Sequence, residues 1–294
     1  MTKQLWPWDF SPLLTSPRRI AVTFLFLLAI SLPTRCQTNE IPLLQANREI
    51  GASFEPSSIA YREYVGGAVQ DSEHGWIPGF GIKASLMRNM LGLKQFLIEA
   101  TYDFNTGSSD HRSKSLDGGN PLNYQSPFRS QDVFLGIGKG FLPASRLILT
   151  PEIGFEYREW LRKLPEALLA IQENYTFWAP GAALSATYDP LDRLILTARA
   201  GVGYTVSPTN DTIGNPAGQV PNLDLGLGNG PVWRAKLGLD SPITRGLHAF
   251  ADVDYSHFEF GQSAVAHYGQ SGAEYEPKSV TDLTKVHVGL AWSF

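Results

Sequence analysis

Cysteine is nearly absent from the 294-residue chain: Cys36 stands alone, so neither a disulfide framework nor a cysteine-ligated metal centre can be built. Basic residues are few and outnumbered, 24 Lys and Arg against 28 Asp and Glu, which leaves no positive footprint for nucleic acid. His74, His111 and His267 fall in separate polar segments and do not read as a metal site. Long apolar runs are missing after residue 32, so no helix downstream has the ~20 apolar residues a membrane crossing takes. The one apolar run, "IAVTFLFLLAISL" at 20–32, is too short for that. It follows Lys3, Arg18 and Arg19 and precedes Pro33, the build of a secretory signal peptide. Residues 1–36 are expected to be removed, leaving 37–294 as a single domain without cysteine.

What the chain does have is alternation with period two, the pattern of a strand with two unlike faces. Its last ten residues, "KVHVGLAWSF", set Val286, Val288, Leu290, Trp292 and Phe294 against Lys285, His287, Gly289, Ala291 and Ser293. The pattern recurs in Phe96, Ile98, Ala100, Tyr102 and Phe104, in Ile153, Phe155 and Tyr157, and in Leu194, Leu196, Ala198, Ala200, Val202 and Tyr204. About ten such segments, with eight or twelve as the neighbouring counts, have the length of tilted membrane strands. Short connections such as "LPAS" and "DPLDR" take turns with long polar ones at 66–75, 106–130, 159–175, 206–230 and 261–280. In the third of these, "WLRKLPEALLAIQE" reads as a short helical piece.

Aromatics gather near the strand ends of the apolar face, among them Trp76, Tyr157, Trp178, Tyr188, Tyr204, Tyr255 and Trp292, as rings do at headgroup depth. The apolar face therefore looks outward into lipid. The fold class that follows is all-β, a transmembrane up-and-down antiparallel barrel. The competing fold is a soluble exported sandwich or closed barrel, in which the same charged residues would face solvent.

With a final strand that ends in an aromatic after alternating apolar residues, the sequence resembles the bacterial outer-membrane β-barrel proteins over essentially the whole mature chain. The resemblance implies a Gram-negative envelope and insertion by the barrel assembly machinery. It makes Val286, Val288, Leu290, Trp292 and Phe294 the assembly signal. It does not fix an activity, because the same architecture carries pores, adhesins, enzymes and inert anchors.

In such a barrel Lys83, Glu99, Asp103, Glu152, Glu156, Arg158, Arg199, Arg234, Lys236, Asp252, Asp254 and Lys285 point into the lumen. Two readings follow: a salt-bridged plug, or a narrow pore whose opposed charges select small polar solutes. A surface adhesin acting through the second and fourth long loops is the interaction-class alternative. The hydrolase alternative rests on Asp252 and Asp254, two apart on one face, and on resemblances to the omptin proteases and the lipid A deacylases. Against it, Asp254 and His257 fall on opposite faces, as do Ser256 and His257. The expectation is a barrel that is not an enzyme, with no cofactor and no nucleic-acid partner. Its surroundings are outer-membrane lipid.

Overall fold

The structure, a computed structural model, describes residues 42–90, 92–114, 121–164, 171–191, 194–214, 221–244, 246–269 and 272–294. The expected signal peptide lies outside them. A one-turn helix, α1 (Pro42–Gln45), leads into β1 (Arg48–Phe54, resuming at Ser57–Val65). The remaining strands are β2 (Ala68–Ile77 and Gly79–Met90), β3 (Leu93–Lys114), β4 (Pro121–Lys139), β5 (Leu147–Lys163), β6 (Gln172–Tyr188), β7 (Ile195–Tyr204 and Val206–Ile213), β8 (Leu223–Gly226 and Pro231–Pro242), β9 (Leu247–Phe260) and β10 (Lys278–Ser293).

Pro56 and Pro78, which have no N–H to give a ladder, stand at the breaks in β1 and β2. The register runs through both: β10 pairs Val288 with Phe54 and Lys285 with Ser57. The break in β7 is a bulge, with a register shift between Val206 and Thr209 and a left-handed Ser207 (φ 48°). Each strand is antiparallel to its sequence neighbours, and β1 pairs with β10 through Ile50↔Trp292. The sheet is therefore a closed meander of ten strands. Closure leaves no unpaired edge at the level of the lipid, which hydrocarbon requires of any strand that crosses it.

The outer surface identifies the membrane band. Phe54, Ile153 and Leu237 expose 60%, 61% and 67% of their surface, and many apolar neighbours are similarly bare, a pattern that suits lipid rather than water. Trp178 packs on Tyr157 (ring centroids 4.6 Å apart) and Phe80 on Tyr102 (6.2 Å) at the long-strand edge of this band, as an interfacial girdle does. Among the described residues no helix is long and apolar enough to cross a membrane; the crossing is made by strands.

Beyond the girdle the strands continue, and this corrects the expectation of long loops. Much of 66–75, 106–130, 159–175 and 206–230 is β-structure: β3 reaches Lys114, β4 starts at Pro121 and β6 at Gln172. In the "WLRKLPEALLAIQE" stretch, Trp160–Lys163 belong to β5 and the register Trp160↔Tyr175 continues the ladder, so these residues are not helical. Residues 165–170 lie outside the described residues. In the last long connection a small hairpin forms, Ala266–Tyr268 with Gly272–Glu274, and β10 begins at Lys278.

The interior is layered. At the short-turn end Leu43 of α1 packs with Met87, Leu97, Ile148 and Ile195 as an apolar floor. A charged layer comes next. Above it, Ile59, Tyr61, Phe128, Trp160, Phe177, Val232, Phe258, Phe260 and Leu283 form an apolar ceiling. Within it Trp160 stacks on Tyr175 with centroids 4.7 Å apart, and Phe177 meets Phe258 at 5.1 Å. The mouth beyond the ceiling is polar again.

Candidate functional site: the charged lumen

Lumen-facing charges come from the inward positions of nine strands, and each is held by a partner across the interior or along the wall. Arg199 of β7 spans the lumen, with Nη1 2.7 Å from Glu99 Oε1 on β3 and Nη2 2.6 Å from Glu152 Oε2 on β5. Arg158 of β5 donates from Nε to Asp132 Oδ1 (2.6 Å) and sets Nη2 2.6 Å from Glu156 Oε1. Glu156 also receives Arg234 of β8. Lys285 of β10 donates to Asp103 Oδ2 (2.7 Å) and to Asp132. Lys236 lies between Asp252 Oδ2 (3.0 Å) and Asp254 Oδ2 (3.4 Å), and Lys83 is 2.6 Å from Glu49 Oε1.

All twelve residues read from the sequence as lumen-facing line one interior space of about 210 Å³. Sequence reasoning missed Glu49, Asp132 and His287 as members of this layer. Glu49 and His287 sit at alternate inward positions of segments already recognised, and Asp132 precedes Val133, so simple continuation of the period would have found them.

Two lumen-facing phenylalanines complete the layer. Phe134 lies flat against Gly136 and Gly154, where a Cβ would meet its ring at 2.8 Å. Arg199 sits over that ring, 4.8 Å from the centroid, and the Lys83 ammonium lies 3.5 Å from the centroid of Phe250. Gly136 of "GIGKGF" and Gly154 make room for the Phe134 platform, and Gly289 does so for Phe250, where a Cβ would meet the ring at 2.8 Å.

The second polar assembly, in the mouth beyond the ceiling, was not foreseen. Arg162, 2% exposed, donates from Nη2 to Glu63 Oε1 (2.7 Å) and to Tyr175 Oη (2.9 Å), and from Nε to Glu173; Glu73 lies 3.7 Å from Nη1. Glu276, from the segment before β10, accepts from Tyr175 Oη (2.6 Å), Tyr61 Oη (3.2 Å) and Asn210 Nδ2 (3.0 Å). Burial raises the Glu276 carboxyl well above its usual range, with Glu63 and Glu173 adding to the rise and Arg162 opposing it. Asp71 and His111 touch; burial pushes Asp71 up to about 6 and His111 down to about 4.

The candidate catalytic pair shares one lysine. Asp252 and Asp254 share the Lys236 ammonium inside the closed layer, and the His257 ring is on the outer wall with Asp282 (Nδ1 to Oδ1 2.8 Å). The structure does not bring Asp254 and His257 together.

A closed antiparallel ring with an apolar outer band and a charged, paired interior defines a transmembrane β-barrel of the outer-membrane type. No protein-family model and no curated protein sequence matches the chain. Among solved structures it is similar to the outer membrane protease OmpT from Escherichia coli, with TM-score 0.58 and 12% identity over 84% of this chain and 97% of that one. The transport unit of the autotransporter AIDA-I from Escherichia coli matches at TM-score 0.44 and 11% identity, covering 95% and 99%. OprG from Pseudomonas aeruginosa matches at TM-score 0.37 and 9% identity, covering 85% and 99%. At these identities the likeness concerns the fold alone.

Proposed function

We propose that the protein is a sealed structural barrel of the outer membrane, which anchors an extended β-walled mouth at the cell surface and does not conduct solutes. In this reading the chain is exported with a cleaved signal peptide and inserted through its C-terminal strand by the barrel assembly machinery. The observation that carries the proposal is the position of the charged layer between the apolar floor of Leu43, Met87, Leu97, Ile148 and Ile195 and the aromatic ceiling around Trp160, Phe177 and Phe258. A conducting pore needs a continuous polar path, whereas apolar constrictions dewet and block ions. The lumen charges then act as internal struts, since paired and hydrogen-bonded charges are the form in which charge survives burial. Asp252 and Asp254 have a structural part in this reading, not a catalytic one.

Planar-bilayer conductance of the refolded mature chain tests it. The wild type and Arg199→Ala/Arg234→Ala are both silent, while Phe177→Ala/Phe258→Ala, which thins the ceiling, gives discrete steps. Steps from the wild type, with an ion preference that moves towards cations in Arg199→Ala/Arg234→Ala, would establish the selective pore instead.

A further inference from the structure

Near the short-turn end, Glu49 of β1, Asp240 of β8 and His248 of β9 converge, each buried, with one ligand atom from each lying within 4.8 Å of the other two. On the Nε2 side the His248 ring meets Ser293 Oγ, which also lies 3.2 Å from the Gln45 carbonyl. The other ring nitrogen, Nδ1, faces Asp240 Oδ1 at 2.8 Å. A bare imidazole nitrogen and a carboxylate oxygen repel, so a proton or a cation must lie between them.

A proton accounts for that one contact. It leaves Glu49 Oε2 and Asp240 Oδ2, both fully buried, without any hydrogen-bond partner among the described residues, and an unpaired buried carboxylate oxygen is costly. A divalent cation at the centre accounts for all three. Its remaining surroundings are of the kind that support a metal: Ser293 fixes the ring through Nε2, and the Lys83 ammonium holds Glu49 through Oε1 (2.6 Å).

We propose that Glu49, Asp240 and His248 form a binding site for a zinc-class divalent cation, coordinated by Glu49 Oε2, Asp240 Oδ2 and His248 Nδ1. Two carboxylates and one imidazole suit zinc, with a fourth position open to water. Zinc–ligand distances are ~2.0–2.2 Å, and the three side chains already bring ligand atoms within 4.8 Å of one another. The ion would tie β1, β8 and β9 together across the intervening β10. A second convergence, Glu55 with Asp103 and His287, differs in that both ring nitrogens of His287 have partners outside the triad, Ser53 at 3.3 Å and Asp254 at 3.4 Å.

The test is equilibrium dialysis of the refolded mature chain, stripped with chelator, against zinc chloride, with folding verified by heat-modifiable gel mobility. Expected are one equivalent of zinc in the wild type and in His287→Ala, and at least a tenfold weaker uptake in His248→Ala and Glu49→Gln. Should the variants fail to fold, X-ray absorption of the zinc-loaded wild type reads the same site, as one imidazole in an otherwise oxygen shell. No uptake by folded wild type overturns the proposal and leaves His248 hydrogen-bonded to Asp240 alone. Uptake that survives His248→Ala, uptake lost in His287→Ala, or a zinc shell without imidazole overturns it equally.

Discussion

Arg162→Met removes the buried guanidinium at the centre of the mouth's polar cluster while keeping an unbranched apolar stem in its place. In the wild type this side chain is 2% exposed, donates to Glu63, Glu173 and Tyr175, and lies over the rings of Tyr61 and Tyr175 at 4.7 and 5.3 Å. Deleting one member of a buried ion set strands its partners, a loss of about 3–5 kcal/mol. Here Glu63, Glu73 and Glu173 would be left among Tyr61, Trp160 and Tyr175 with no counter-charge. Burial raises the Glu73 carboxyl and Arg162 opposes that rise, so in the variant the folded mouth holds a proton there that the unfolded chain gives up, and its stability falls as pH rises. The full loss is expected at pH 8 and a smaller one at pH 5. Cleavage by a nonspecific protease over a denaturant series, read alongside fluorescence of the buried Trp160, reports opening of the mouth separately from unfolding of the lipid-embedded wall. A change below about 1 kcal/mol at pH 8, or a greater loss at pH 5 than at pH 8, would show that these carboxylates are solvated and that the mouth is not the packed unit described above.

Two further outcomes follow. Gly136→Ala places a Cβ within 2.8–3.0 Å of the Phe134 ring and Glu99 and is expected to cost about 1–3 kcal/mol in guanidinium unfolding; Phe134→Leu in the same chain recovers most of that, whereas additive losses would place the ring elsewhere. Glu276→Gln keeps the acceptor for Tyr175 and Tyr61 but removes a carboxyl whose folded-state pKa is raised, so the wild type loses mouth stability as pH rises through that raised value and the variant does not. Protease sensitivity of residues 261–277 between pH 5 and 8 checks it, with identical profiles in both chains as the contrary result. Asp71 and His111 oppose one another over the lower part of this range. Stability is lost as Asp71 ionises between about 4 and 6 and gained as His111 loses its proton between about 4 and 6.5.

The barrel wall was legible because lipid enforces one rule on every strand at once: apolar out, polar in, period two. That rule placed Glu99, Glu152, Arg199 and Lys236 on the inner face with no knowledge of their partners. The ceiling was not legible, because beyond the girdle the outside is water and the rule inverts. In β9 the apolar residues Val253 and Tyr255 face out, then Phe258 and Phe260 face in; in β5 Tyr157 is followed by Trp160, and in β1 Phe54 by Ile59 and Tyr61. Read as loss of alternation, this change of parity looked like the start of loops. Read as inversion, it marks the depth at which each strand leaves the membrane. Which acid meets which base was beyond the pattern altogether, since Lys285 finds Asp103 and Asp132 from the far end of the chain.

Those long-range pairs bear on how the barrel comes together. Lys236 with Asp252, and Arg158 with Asp132, pair within single hairpins, but Arg199 joins β7 to β3 and β5, and Lys285 joins β10 to β3 and β4, so these cations meet their partners only when distant strands close. A half-closed sheet carries them uncompensated, and a one-residue slip in register turns a whole row of them towards hydrocarbon. The network thus discriminates against partial and mispaired sheets more sharply than it strengthens the finished one. Its ions act as a checkpoint on assembly, passed when the last strand meets the first.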